Sequence, residues 1–358
     1  MEEQTTDNGQ RTRPPRLSPA KRDDPPAIAR HERAGGGQAM DQKLRLGVVG
    51  VGYAGELHAQ KYASMEDVDL VGLADIDFER AKNVARKYNT KAYSSHTELL
   101  PCVDGLSLAV PTVSHFEIGH DILAHGTHLL VEKPITLKLR DADSLIEIAE
   151  KNNAILQIGH IERFNPAVVK MESLLSKPIF IESHRLNRFT KRGTDVNVIL
   201  DLMIHDLDII LHLVNSGIKK IDAVGMPLMS DKIDVANVRI MFANGTVANL
   251  TASRVSNESL RMIRIFQPDS YISVDYGKRK ISVTQLEGDR KNSTHLSPLI
   301  HRDDRYPDSD PLADQIRSFV EAIKRGTGPK VSGVDGKKAL AVALSIINQI
   351  KRNTKTLS

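Results

Sequence analysis

Residues 44–55, LRLGVVGVGYAG, decide the fold of this chain. The stretch opens with enough apolar residues for one buried strand and ends in Gly50, Gly52 and Gly55, which have the spacing of G-x-G-x-x-G. In that motif the first glycine allows a tight turn, the second lets the backbone approach a pyrophosphate, and the third lets the next helix pack closely against the strand. We therefore predict a strand, a glycine turn, and a helix beginning near Ala54 whose N-terminal amides point at a diphosphate.

The sequence after this motif supports a dinucleotide site. A second apolar run, Val68–Ala74, ends at Asp75, about 20 residues beyond Gly55, where a carboxylate binds the adenine ribose hydroxyls. Such a carboxylate accepts hydrogen bonds from a ribose 2′-hydroxyl and repels a 2′-phosphate, so we predict NAD rather than NADP as the cofactor. The nearby Arg80 is the residue that argues for NADP. The alternative, a glycine turn without a ligand, does not explain why strand, helix, strand and acid follow in this order.

Composition sets the class of protein. A chain of 358 residues with 40% hydrophobic residues is long enough for two domains with cores of their own. Its one cysteine excludes a disulfide within the chain and suits the cytosol. No apolar run has the length of a membrane span or a signal peptide, so we expect a cytoplasmic protein without membrane contact. A formal charge of +4, no Trp and 4% aromatic residues argue against a nucleic-acid partner and leave a small molecule as the expected substrate.

Four segments follow from changes in pattern along the chain. Residues 1–41 are rich in Pro, Gly and charge and poor in large aliphatic residues, so we predict a disordered tail, with Met40 as a candidate translation start. Residues 42–160 alternate between strand and helix patterns, which predicts a doubly wound Rossmann domain with its ligand at the carboxyl ends of the strands. Residues 161–335 form the third segment, and residues 336–358 are predicted as a C-terminal helix.

The third segment contains β-branched runs of period two and a hairpin signal at Asn244-Gly245, and its residues 286–309 have the polar composition of a loop. We predict an α+β substrate and oligomerisation domain. The fold class is therefore α/β, with an N-terminal Rossmann domain and a C-terminal domain that contains a large, mostly antiparallel sheet. One face of so broad a sheet needs a cover, which predicts a homo-oligomer, dimer or tetramer.

The predicted helix Val198–Val214 carries the first candidate catalytic pair. Asp201 and His205 are four residues apart and share a helix face, while most of their neighbours are apolar. His205 is a candidate general base because imidazole titrates near neutral pH, and Asp201 is near enough to orient it or the substrate. Two alternatives are a core histidine with its hydrogen bonds satisfied and a metal site that adds Asp208 and His212. No cysteine or H-E-x-x-H pattern supports a metal, so none is expected.

Glu132-Lys133-Pro134 ends a predicted strand at the edge where ligands bind. There the Lys133 ammonium would hydrogen-bond a reacting hydroxyl and favour the developing alkoxide. Glu132 would keep Lys133 charged or pair with it, and Pro134 would fix the turn, with a peptide bond whose isomer the sequence does not decide. A surface lysine at a strand end is the alternative.

Basic residues follow a strand in the second half of the chain and could grip a substrate diphosphate, because the planar arginine fork suits phosphate. A solvated charged face is the competing interpretation. The residues concerned are Arg163, His184, Arg185, Arg188, Lys191 and Arg192.

Taken together, the glycine turn, Asp75, the segment Pro111–His115, Glu132-Lys133-Pro134 and Asp201-x-x-x-His205 resemble the Gfo/Idh/MocA family of NAD(P)-dependent sugar oxidoreductases, from Leu44 to the C-terminus. The resemblance implies Lys133, His205 and Asp201 as catalytic residues. It implies that the cofactor is held by Gly50, Gly52, Tyr53, Ala54, Gly55, Asp75, Pro111, Thr112, His115, Glu132 and Lys133. It implies that the substrate is held by Arg163, Asn165, Arg185 and Arg188.

Within that family, residues 159–166, GHIERFNP, are similar to members that oxidise the 3-hydroxyl of UDP-N-acetylglucosamine before an aminotransferase acts, as in lipid A synthesis. The resemblance therefore implies a UDP-sugar substrate. Three other functions stay open: a dehydrogenase for a free sugar or inositol, an NAD-assisted glycosidase, and a non-catalytic NAD-binding regulator. A regulator would need neither Lys133 nor His205, so the presence of both argues for an enzyme.

Overall fold

The first strand and the glycine turn lie at the centre of a parallel sheet, as the sequence predicts. The computed structural model describes residues 43–189, 196–286 and 299–357. The predicted disordered tail and the candidates Lys191 and Arg192 lie outside the described residues.

The parallel sheet has six strands in the order β3-β2-β1-β4-β5-β6. Alternate residues of one strand enter separate apolar cores on its two faces: Leu129 and Val131 pack in one core, and Leu130 packs in the other. This arrangement confirms the predicted doubly wound domain. The strands are β1 (Leu44–Val49), β2 (Val68–Ala74), β3 (Lys91–Tyr93), β4 (Gly105–Leu108), β5 (His128–Glu132) and β6 (Leu156–Gly159). The helices are α1 (Tyr53–Ala63), α2 (Phe78–Lys87), α3 (His96–Leu99), α4 (His115–Ala124) and α5 (Leu139–Lys151).

A second sheet of eight strands follows, in the order β14-β13-β12-β11-β7-β10-β9-β8. Its neighbours pair antiparallel except β7 and β10, which run parallel. Gly245 has a φ of 92° in the predicted turn between β9 and β10. The strands are β7 (Phe180–Leu186), β8 (Ile218–Met226), β9 (Val235–Phe242), β10 (Val247–Ser253), β11 (Leu260–Phe266), β12 (Ser270–Asp275), β13 (Lys280–Leu286) and β14 (Leu299–Arg305). The helices are α6 (Pro166–Ser173), α7 (Ile204–Val214), α8 (Pro311–Arg325) and α9 (Gly333–Leu357).

Two elements differ from the sequence prediction. Residues 299–305, expected in a loop, form edge strand β14. Because most side chains of this strand are exposed, its sequence LIHRDDR does not alternate between apolar and polar residues as a half-buried strand does. The last helix begins at Gly333, ahead of residue 336, because the Ser332 hydroxyl and amide both donate to the Asp335 carboxylate and fix the first turn. The boundaries predicted at 160 and 335 stay predictions.

Helix α8 carries the late part of the chain back to the Rossmann sheet. Arg317 and Lys324 on α8 donate to the carboxylate of Asp67, which precedes β2, at 2.8 and 2.6 Å. Partial burial opposes ionisation of Asp67, but these two cations outweigh it and lower its pKa to about 2. Beside β6, the Ile158 amide donates to the Val331 carbonyl at 3.0 Å. These contacts tie the late part of the chain to the start of β2 and to β6.

Asp234 anchors the loop between β8 and β9. Its buried carboxylate accepts hydrogen bonds from the amides of Leu228, Met229 and Ser230 and pairs with Arg254 Nε at 2.8 Å. Burial opposes its ionisation, but the amides lower its pKa far below the usual range. The loop therefore depends on one fully charged, fully buried group.

We expect Asp234→Asn to lower the free energy of unfolding by about 3–5 kcal/mol, because it removes a buried negative charge that pairs with the Arg254 guanidinium and accepts three backbone hydrogen bonds. Urea denaturation measures the loss. Asp222→Asn is the control, since it removes a carboxylate from an exposed pair with Lys220 in the same sheet and should cost less than about 1 kcal/mol. Equal losses in the two variants would contradict the assignment of Asp234 as an anchor.

Candidate active site

A cleft of about 830 Å³ lies where the carboxyl ends of the parallel strands face the second sheet. Its size is that of a small-molecule site, and its position is where parallel sheets bind ligands. The Rossmann side of the cleft is lined by Tyr53, Ala54, Ala109, Val110, Pro111, Thr112, Glu132, Lys133 and Pro134. The opposite side includes Glu162, Arg185, Asn187, Arg188, Asp201, His205, Arg254, Ser259 and Arg261.

The glycine turn has the shape that a dinucleotide needs. Gly50 has a φ of 83°, and a Cβ on Gly55 would lie 1.8 Å from the Gly50 carbonyl oxygen, so both positions require glycine. A Cβ on Gly52 would meet no atom within 4 Å, which leaves open space above the turn. Helix α1 has no side-chain cap at its N-terminus. An uncapped helix start beside open space fits a diphosphate, so these residues fit the predicted cofactor.

Asp75 lies at the end of β2 with both carboxylate oxygens engaged by the backbone. One oxygen accepts from the Val51 amide at 2.8 Å, and the other accepts from the Asp77 amide at 2.9 Å. Arg80 Nη1 is 3.5 Å from the same carboxylate. Asp75 therefore ties the glycine turn to the segment that follows β2, and the Arg80 charge is offset by Asp75 and Asp77.

The predicted cofactor residues Pro111 and Thr112 line the cleft, but His115 does not. The His115 ring is buried, and its two nitrogens lie 2.9 Å from the Pro134 carbonyl oxygen and 3.0 Å from the Val110 carbonyl oxygen. Burial lowers the pKa of this imidazole, although the carbonyls oppose the shift. His115 thus links two loops of the cleft wall from behind.

Lys133 joins the two sides of the cleft. Its ammonium group donates to the Asp201 carbonyl oxygen at 2.6 Å and lies 3.3 Å from Asp201 Oδ1. The Lys133–Pro134 peptide bond is cis. Asp201 was expected to orient His205 or the substrate; its carboxylate and carbonyl oxygen contact Lys133 rather than His205, and the role towards the substrate stays a prediction.

A widened helical turn supplies that carbonyl. The sequence predicts an α-helix over Val198–Val214, whereas Ile199–Met203 form a π-type turn that continues into α7. The Asn197 side chain accepts from the amides of Ile199 and Leu200 and begins the turn. Such turns leave backbone groups free for other partners and are frequent at functional sites. Asp201 and His205 nevertheless both line the cleft, as the four-residue spacing predicts.

Glu132 pairs with His58 of α1 rather than with Lys133. Glu132 Oε1 lies 3.2 Å from His58 Nε2, and His58 Nδ1 lies 3.0 Å from the Ser107 hydroxyl, which also contacts the Tyr62 hydroxyl at 2.7 Å. Burial opposes ionisation of Glu132, but the hydrogen bond and charge of His58 outweigh it and lower the carboxyl pKa. The chain of contacts fixes the strand end that carries Lys133 to the dinucleotide-binding helix.

His205 presents a single nitrogen to the cleft. Its Nδ1 is buried without a hydrogen-bond partner, which leaves Nε2 as the nitrogen that can exchange a proton there. Burial first, and then the charges of Lys133 and Arg185, lower the pKa of this imidazole well below 6.5. Behind it, the buried His160 ring stands edge-on at a centroid distance of 6.2 Å. His205 is therefore a neutral base at neutral pH.

The structure does not bring all the predicted substrate residues to the cleft. Arg163 lies behind the wall, 3.8 Å from Asp208, and Asn165 caps α6 through the Ala167 amide. Arg185 does line the cleft, but its buried guanidinium is held by Asp206 and Glu162. Arg188 remains as the exposed member of the set, in the segment that follows β7.

One other expectation changes with this geometry. His184 and Arg185 were placed after a strand and lie within β7. Asp208 pairs with Arg163 and His212 with Glu172, and no group of three or more potential metal ligands occurs among the described residues.

Among the polar residues that sequence reasoning missed are Glu162, Asn187, Arg254, Ser259 and Arg261, which line the cleft, and His58, which supports it from behind. A signal existed for His58, because a polar residue at the buried helical spacing of Gly55, Ala59 and Tyr62 needs a partner. No signal distinguished Arg254 and Arg261 from other strand arginines, since their position depends on which strands become neighbours.

Comparison with known proteins gives matches along most of the chain. The model of an oxidoreductase family with an NAD-binding Rossmann fold, Gfo/Idh/MocA, matches residues 44–160, and that of the GFO/IDH/MocA C-terminal domain matches residues 167–267. The UDP-N-acetylglucosamine 3-dehydrogenase of Acidithiobacillus ferrooxidans is 38% identical over 85% of this chain and 96% of its own. The myo-inositol 2-dehydrogenase of Thermotoga maritima is 28% identical over 87% of this chain and 98% of its own.

Solved structures agree with the fold. A structure of the Acidithiobacillus ferrooxidans enzyme superposes with a TM-score of 0.79 at 37% identity and covers 87% of this chain and 98% of its own. The matches confirm the predicted fold class, the oxidoreductase activity and NAD as the cofactor. Within the described ranges, no helix combines the length and apolarity needed to span a bilayer.

Proposed function

The chain belongs to the Gfo/Idh/MocA family of oxidoreductases, and from that premise we propose that it oxidises the 3-hydroxyl of UDP-N-acetylglucosamine with NAD as the acceptor. The observation that carries the proposal is the shared cleft: Lys133 from the Rossmann sheet and His205 from the second part of the chain line one cavity. The similarity to the Acidithiobacillus ferrooxidans enzyme over nearly its whole length supports the choice of substrate.

In this proposal the chain provides the groups that remove the hydroxyl proton. Lys133 donates a hydrogen bond to the reacting oxygen and stabilises negative charge as it develops, while Asp201 holds the ammonium group in place. His205 takes the hydroxyl proton on Nε2. The glycine turn, Tyr53, Ala54, Asp75, Pro111 and Thr112 hold the NAD, which when bound supplies the acceptor for the hydride that leaves the sugar carbon.

A second candidate substrate is a free cyclitol such as myo-inositol. The similarity to the Thermotoga maritima relative supports it. The same lysine and histidine would act on either alcohol, so the two candidates differ in what occupies the rest of the cleft.

The purified protein should reduce NAD when UDP-N-acetylglucosamine is added. The rate of NAD reduction, measured by the absorbance of reduced nicotinamide, should be much lower with N-acetylglucosamine or myo-inositol. Lys133→Ala and His205→Ala should each lower kcat about 100-fold or more, because each removes a group that acts in the transition state. Binding of NAD should persist in both variants. Near-normal turnover in both would refute the assignment, and faster turnover of myo-inositol would favour the second candidate.

The acid side of the pH profile tests His205 as the base. A base must be unprotonated, and its lowered pKa keeps His205 neutral as the pH falls through 6.5. We therefore expect kcat/KM for wild-type enzyme, which reports the free enzyme, to hold at pH 6.5 and to fall only at more acidic values, where the imidazole takes a proton. Thermal melts over the same range separate loss of the base from unfolding. A midpoint above pH 6.5 would contradict this role.

We also propose that copies of the chain associate through the open face of the second sheet. Part-exposed side chains occupy alternate positions of β7 and β11 on this face, with the Phe180 and Phe266 rings 5.5 Å apart and Tyr271 5.0 Å from Phe266. At the sheet edge, Val224 and Met226 are 61% and 53% exposed. Apolar area of this kind is typical of a subunit interface.

Light scattering should give a dimer or tetramer mass at micromolar concentration. Phe266→Glu should shift that mass towards the monomer, since it places a charge in the interface. A monomeric wild-type protein would contradict the proposed association.

A further inference from the structure

Two arginines at one end of the cleft, Arg188 and Arg261, have no carboxylate partner among the residues that the structure describes. Arg188 Nε donates to the Asn257 carbonyl oxygen at 2.8 Å, which leaves its terminal amino groups to the cleft. The Arg261 side chain makes no hydrogen bond or ion pair within the described ranges. Both side chains are exposed, and both line the same cavity as Lys133 and His205.

The other charges of the cleft wall are already paired. Arg185 is held by Asp206 and Glu162, and Arg254 by Asp234. The remaining carboxylates, Glu132 and Asp201, pair with His58 and Lys133. The second-sheet side of the cleft therefore has two positive charges with no negative charge of the described chain beside them.

Strand topology brings the two arginines to one edge. Strands β7 and β10 run parallel, so the segments that follow them leave the sheet together: the Asn187 amide donates to the Ser253 carbonyl at 2.8 Å, and the Ser256 amide donates to the Asn187 carbonyl at 3.1 Å. Strand β11 runs antiparallel to β7 and begins at this edge, where Arg261 pairs in register with Arg185. Asn187 and Ser259 line the same end of the cleft with neutral polar groups.

We propose that Arg188 and Arg261 bind the diphosphate of the nucleotide-sugar substrate, with Asn187 and Ser259 as neutral hydrogen-bonding partners. The assignment rests on the proposed function, and it gives this role to Arg261 in place of Arg163 and Arg185. Arginine matches phosphate oxygens with two parallel donors, and two positive charges match the two negative charges of a diphosphate diester. A free sugar or inositol offers no such charge.

The subsite and the proposed catalytic groups share one electrostatic environment. Besides burial and the charges of Lys133 and Arg185, the charge of Arg261 contributes to the lowered pKa of His205. Arg261 and His205 also line the same cleft. A substrate that reaches Arg261 with its diphosphate can therefore place its sugar near His205.

The first test uses NAD-saturated enzyme and the variants Arg188→Ala and Arg261→Ala. Each should raise the KM for UDP-N-acetylglucosamine about tenfold or more, with kcat little changed, because the lost contacts bind substrate away from the reacting carbon. Arg261→Lys should recover part of the affinity, since it restores charge but not the planar fork. Arg325→Ala, which removes an exposed arginine that pairs with Glu321 on α8, is the control and should leave KM unchanged.

A second measurement tests the diphosphate subsite independently of the proposed substrate. Calorimetry should show UDP binding to the NAD-saturated wild type about tenfold more tightly than to Arg261→Ala. Turnover of UDP-N-acetylglucosamine with unchanged KM in both alanine variants would overturn the subsite and leave the proposed function standing. UDP binding that depends on Arg261 without turnover would support the subsite and overturn the substrate. Wild-type protein that does not bind UDP would overturn the subsite.

Discussion

The contact between Lys133 and Asp201 is the interaction on which the site depends. Lys133 stands at the end of a strand of the parallel sheet, and Asp201 stands in the turn before α7, 68 residues later. Because the ammonium group reaches both the carbonyl and the carboxylate of Asp201, the strand end and the helix that carries His205 have a fixed relation. A cation and an imidazole can act on one alcohol only if they are held on the same side of it.

Local patterns predicted the elements well because each pattern has one physical solution. The glycine turn requires a φ of 83° at Gly50 and no Cβ at Gly55, and no other residue meets both conditions. The apolar run Val68–Ala74 coincides with β2 because a buried strand must be apolar throughout or at alternate positions. Strand β14 was not predicted, for the converse reason. It is an edge strand with exposed side chains, held by hydrogen bonds to the backbone of its neighbour, so its own sequence has no apolar pattern.

Charged residues were harder to predict, because their role depends on a partner that the sequence does not identify. Arg163, Arg185 and Arg188 look alike in the chain, yet the first two are buried against Asp208 and Asp206 and only the third is exposed to the cleft. A buried arginine needs a carboxylate partner, and an arginine and a carboxylate that pair with each other are not free to bind the substrate. Glu132 and Asp201 show the same limit, since the first pairs with a helix behind the sheet and the second with Lys133. Their neighbours in the sequence suggested neither pairing.

The charge balance of the cleft connects the proposed diphosphate subsite to the proposed base. Without substrate, burial and the cations Lys133, Arg185 and Arg261 hold His205 neutral, which is the form that accepts a proton, but they also disfavour the imidazolium that the reaction produces. An anionic diphosphate at Arg188 and Arg261 offsets part of that positive charge. The bound substrate would thereby make His205 more basic at the moment when it must take the hydroxyl proton, whereas an uncharged sugar in the same cleft would leave it a weak base. A neutral substrate would therefore lose affinity through the missing contacts with Arg188 and Arg261, and it would leave the positive charge of Arg261 near His205 without compensation.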